Sequence, residues 1–69
     1  MKIVYNLSIC FVDGVTIYNI ISSDKKLLMN FLDEHDHEGS SIYLTRKSDD
    51  IITTIDNPEQ VYKELGMSI

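Results

Sequence analysis

Residues 3–22 read IVYNLSICFVDGVTIYNIIS. Ile3, Tyr5, Leu7, Ile9 and Phe11 fall on every second position, which is the side-chain period of a β-strand. Lys2, Val4, Asn6, Ser8, Cys10 and Val12 fill the alternate positions. Residues 2–12 therefore predict one long strand with a strongly apolar face and a mixed face. Asp13-Gly14 predicts a two-residue hairpin turn with both central residues at positive φ, and residues 15–22 predict the return strand. In that register Val12 opposes Val15, Phe11 opposes Thr16, Ile9 opposes Tyr18 and Leu7 opposes Ile20. Tyr18 and Ile20 thus join the large apolar face. Val12, Val15, Ile17 and Ile21 gather on the other face, which is apolar enough that a covering element or a second copy of the chain is expected there.

The rest of the chain continues the pattern. Ser23 is placed to cap a helix with Asp24 in its first turn. Leu27, Leu28, Phe31 and Leu32 recur at helical spacing and predict its buried stripe, with Met29 off the stripe and exposed. The helix is expected to fade over Glu34–Asp36, and Gly39 ends the connection. Residues 41–47 and 51–56 predict two further strands joined by the Ser48-Asp49-Asp50 turn, pairing Leu44 with Thr53, Ile42 with Ile55 and Tyr43 with Thr54. Asn57-Pro58-Glu59-Gln60 is a compact helix start, with Asn57 as cap and Pro58 at the first helical position. Val61, Tyr62 and Leu65 form the apolar side of that helix, Gly66 its left-handed cap, and Met67 is placed to fold back on Tyr62. The expectation is a single α+β domain, ββαββα: two β-hairpins each followed by a helix, an antiparallel sheet with helix packed on one face.

Sixty-nine residues support one domain. A chain of that length buries roughly 60% of its unfolded surface, so its stability is marginal and a supplement is expected. Cys10 is the only cysteine, which excludes an internal disulfide. A homodimer burying Val12, Val15, Ile17 and Ile21, or pairing sheet edges, is the expected supplement. No leader-like or spanning apolar stretch is read, and the lone thiol points to the cytoplasm. The wealth of Ile, Asn, Asp and Lys without Ala suits AT-rich coding, as in a low-GC bacterium or its phage.

Eleven acids against six bases leave a net charge of −5. That opposes phosphate backbones and anionic membranes and favours a protein partner with a basic surface. Asp33, Glu34, Asp36 and Glu38, with Asp49 and Asp50, are the candidate partner contacts. Met29 and Tyr43 are the candidate apolar anchors, since screened surface charges contribute little affinity alone. His35 and His37 lie within the first acidic run. Imidazoles among carboxylates are the groups that a metal- or pH-responsive module uses, although His-x-His here lacks a zinc signature. Phosphate loops, dinucleotide fingerprints and nucleophile elbows are absent from the sequence. The expectation is a small acidic, non-enzymatic regulator or inhibitor without a cofactor. The alternatives are a module built on His35 and His37, or an accessory subunit of an enzyme.

Overall fold

The computed structural model describes residues 2–66. The elements run β1 (Ile3–Cys10), β2 (Ile17–Ser22), α1 (Lys25–His35), β3 (Ser41–Ser48), β4 (Ile51–Ile55) and α2 (Pro58–Glu64). All neighbouring strands are antiparallel, in the order β2-β1-β3-β4. The two hairpins therefore sit side by side, and β1 and β3 form the centre of one α+β sheet.

Alternation decides which face is covered. Tyr5, Leu7 and Ile9 of β1 and Ile42 and Leu44 of β3 share one face. They are buried with Leu28 and Leu32 of α1 and Val61 and Leu65 of α2. Both helices lie on that face: α1 packs over β2 and β1, and α2 over β3. Among the described residues, no covering element of the chain itself lies over the opposite face. Asn6, Asn19, Ile17, Ile21, Tyr43, Ile52 and Thr54 are exposed there. Two short helices are both needed over the large apolar side, because residues of that side alone make a continuous core.

The first hairpin keeps the expected register, with Leu7 opposite Ile20 and Ile9 opposite Tyr18. Its turn differs. Only Gly14 takes positive φ, at 74°. Val12–Val15 form a four-residue loop closed by Phe11 N–H donating to Thr16 O at 2.9 Å and Gly14 N–H donating to Phe11 O at 3.0 Å. The Asp13 carboxylate organises the loop, accepting from the amides of Val15 and Thr16 at 2.9 and 2.8 Å and from the Thr16 hydroxyl at 2.7 Å. An acid that caps its own loop in this way replaces the need for a second left-handed residue. Those backbone bonds hold the Asp13 carboxyl below the ordinary range.

The second hairpin is shifted by two residues from expectation: Leu44 faces Ile55, Thr45 faces Thr54 and Ser48 faces Ile51. The turn is centred one residue later than that pairing requires. Only Asp49 and Asp50 lie between the paired residues, with Asp49 at φ 54°. A shift of two preserves which face each side chain occupies.

Helix α1 is capped by Asp24 rather than Ser23, its carboxylate accepting from the amides of Lys26 and Leu27. Ser22 in turn accepts from the Asp24 amide at 3.0 Å. The buried stripe keeps Leu28, Phe31 and Leu32 but differs at its margins: Leu27 is 48% exposed, while Met29, expected to be exposed, packs against the core. Helix α2 begins as expected, with the Asn57 side chain accepting from Glu59 N and Pro58 in the first turn. Gly66 takes φ 84° at its end. The contact expected of Met67 lies outside the described residues. No helix among the described residues is long and apolar enough to cross a membrane.

Candidate functional site

The register separates the two acidic clusters. Cys10 pairs with Ser41 at one end of the sheet and Ile3 pairs with Ser48 at the other. Residues 33–38 lead into β3 at the first end, whereas Asp49 and Asp50 form the turn at the second. The six acids therefore do not make one patch.

At the first end the end of α1 meets the first hairpin. The His35 ring stacks on Tyr18, with centroids 4.3 Å apart and planes 19° apart, and lies 4.6 Å from Phe31. His37 stands edge-on to Phe11 at 5.2 Å, and Phe11 is edge-on to Tyr18 at 6.2 Å. The two histidines are thus packing groups on separate aromatic partners. Among the described residues, no three His, Cys, Asp or Glu side chains are grouped to hold a metal, and no pocket is found. Cys10 is a half-buried free thiol in the strand.

Asp36 is not a free surface acid. Its Oδ2 accepts the hydroxyl proton of Tyr62, so the end of α1 is tied to α2. The hydrogen bond to Asp36, reinforced by burial and by the charges of Asp36 and Asp33, pushes the Tyr62 phenol up to about 12. Asp33, Glu34 and Glu38 remain exposed. Met29, expected as an anchor, is packed against the core. Tyr43 is exposed on the open sheet face, opposite Ser8 and two positions from this same end.

The exposed apolar groups of the first hairpin loop, at this same end of the sheet, are ones expected on an oligomer face. Val12 and Val15 are 71% and 82% exposed in the loop of the first hairpin. Val12 is close to the 36–40 connection: a methyl group built on Gly39 would come within 3.3 Å of its Cγ2. Ile17 and Ile21, from the same expected face, stand on β2.

A second polar cluster, unforeseen as a unit, holds the opposite half together. Glu64 of α2 accepts from the Tyr5 hydroxyl at 2.8 Å and pairs with Arg46 at 2.8 Å. The Lys25 ammonium lies over the Tyr5 ring, 5.9 Å from its centroid. Burial pushes the Glu64 carboxyl up, but the Tyr5 and Arg46 hydrogen bonds and the charges of Arg46 and Lys25 outweigh it and hold the group below the ordinary range. Burial, then the Glu64 hydrogen bond, push the Tyr5 phenol up to about 12. The signal was present in the alternation: Arg46 shares the apolar face with Ile42 and Leu44, and a charge there needs a partner.

Comparison with known proteins finds no matching family model, no matching curated protein and no matching solved structure.

Proposed function

We propose that the chain is a small acidic protein-binding module whose contact surface is the end of the sheet where the first hairpin loop meets the 33–40 segment. The observation that carries this reading is the placement of exposed Val12 beside Gly39, which sets an apolar side chain next to the end of the acidic run. Effective interfaces combine desolvated apolar anchors with charges that guide approach. Val12 and Val15 supply the anchors, Asp33, Glu34 and Glu38 the field, and Tyr43 an aromatic group at the margin. The fitting partner is a protein with a basic, partly apolar surface. Asp36 supports the loop through Tyr62 and is not a contact. Asp49 and Asp50, at the other end, are outside this surface.

The test begins with affinity capture on the wild-type chain and on Val12→Ser/Val15→Ser. A captured protein is then measured by surface plasmon resonance at several salt concentrations. Glu34→Gln/Glu38→Gln should slow association, and the valine variant should speed dissociation. Binding of the captured protein that ignores both variants, or binding of duplex DNA or RNA at physiological salt, would overturn the reading.

A further inference from the structure

The two outer strands of the sheet are β2 and β4, and they differ in a way that bears on self-pairing. In an antiparallel ladder the hydrogen-bonded pairs alternate, so one set of residues faces the neighbouring strand and the other faces outward. Phe11 N–H donates to Thr16 O, which makes that pair a hydrogen-bonded one. Following the register, Tyr18, Ile20 and Ser22 direct their backbone groups to β1. The N–H and C=O groups of Ile17, Asn19 and Ile21 consequently point outward. Carried across the sheet by the same alternation, the outward groups of β4 are those of Ile52 and Thr54.

Natural edges are protected by charges, proline or bulges. Edge β4 is guarded. The antiparallel self-pairing that overlaps most of it sets Ile52 against Thr54 of a second copy. It also sets Asp50 against Asp56 of that copy, twice over, and like charges directly opposite are destabilising. Edge β2 has no such guard. Residues 15–23, VTIYNIISS, contain no charge and no proline.

We infer that β2 is the docking edge for a second copy of this chain, paired antiparallel about a two-fold axis at Asn19. In this register Ile17 faces Ile21 of the second copy, Asn19 faces Asn19, and Ile21 faces Ile17. All three pairs use outward backbone groups, giving six inter-chain hydrogen bonds at two per pair. On the helix side Tyr18 faces Ile20 of the second copy, so apolar meets apolar there too. On the open face the four isoleucines flank an amide pair, with Asn19 already oriented by donating to Asn6 at 2.6 Å and to Ser8 at 2.8 Å. The two four-stranded sheets become one of eight strands. The register is closed, as two-fold pairing requires, so it stops at a dimer.

Sedimentation over micromolar to millimolar concentration, with amide exchange by NMR, tests this. The expected mass rises from 7.9 kDa to twice that value. Added salt should strengthen the dimer by screening the like net charges, the opposite of its effect on a basic partner. The amides of Ile17, Asn19 and Ile21 should gain protection as the dimer forms, while those of Tyr18 and Ile20 are protected throughout. Charge exchange tests the register. Ile17→Lys/Ile21→Lys places like charges opposite one another and should weaken the dimer about tenfold or more. Ile17→Lys/Ile21→Glu places opposite charges together and should retain it. Tyr43→Lys, on the open face away from β2, should leave it unchanged. A wild type that stays at 7.9 kDa throughout, masses growing beyond a dimer, or a dimer without protection at the three outward amides would overturn the inference. A dimer lost equally in both charge variants, or lost with Tyr43→Lys, would do the same by pointing to face-to-face packing.

Discussion

The Tyr5 hydroxyl on β1 donates a 2.8 Å hydrogen bond to Glu64 on α2, across 59 positions of sequence. Glu64 also holds Arg46 of β3, so one carboxylate joins both central strands to the second helix. In a domain of marginal stability that junction weighs heavily, since a typical total is only about 5–15 kcal/mol. Tyr5→Phe keeps the packing and removes the bond. It should cost about 1.5–3 kcal/mol, as hydrogen bonds to charged groups do. Urea unfolding at neutral pH gives the value, and a loss below about 0.5 kcal/mol would show that the junction is slack.

The same cluster sets the pH dependence. The folded-state pKa of Glu64 is depressed, so its contribution is present above the unfolded carboxylate value near pH 4.3 and lost as pH falls through the folded value. Tyr5 and Tyr62 are shifted the other way, to about 12. Their contribution is full below the unfolded phenol value of about 10 and disappears as pH rises towards 12. Thermal melts should therefore fall at both extremes. In Tyr5→Phe/Tyr62→Phe, the fall between pH 10 and 12 should flatten; an unchanged alkaline limb would contradict the assignment.

Asp36 should behave unlike its neighbours. Asp36→Ala breaks the tie to Tyr62 and is expected to cost about 1–2 kcal/mol. Asp33→Asn, Glu34→Gln and Glu38→Gln change exposed side chains and should stay within about 0.5 kcal/mol. Chemical denaturation of the four variants side by side separates the structural acid from those available to a partner.

Core truncation should follow the observed stripe. Leu28→Ala and Leu32→Ala empty fully buried sites and should each cost about 2–5 kcal/mol. Leu27→Ala should cost well under half of that, because its side chain is half exposed. Comparable losses at Leu27 and Leu28 would mean that the helix is rotated from its described position.

The turn at Asp49 offers a stabilising change. A non-glycine residue at φ 54° carries a steric penalty that glycine lacks. Asp49→Gly should raise stability by about 0.5–1 kcal/mol, measured as a shift in the denaturation midpoint. Because Asp49 lies away from the proposed contact surface, the same variant should bind a captured partner as the wild type does.

Local patterns in the sequence determined the elements and their faces. Alternation over residues 3–11 marked β1 and its buried side, and Asn57-Pro58 marked the start of α2, because strand period and helix capping act over a few neighbouring residues. The exposed acids 33, 34 and 38 were legible as surface for the same reason. Their apolar companions were not, since Val12 reaches Gly39 only once β1 and the 36–40 connection are brought together. Likewise, the period of two marked the sides of each strand but carried no information on strand order. Only the tertiary structure placed β3 against β1, left β2 and β4 at the edges, and put both helices on one face. Those outcomes come from burying Leu7, Ile9, Ile42 and Leu44 under Leu28, Leu32, Val61 and Leu65 in a single core. Such burial is a sum over residues far apart in the chain, and no short stretch contains it.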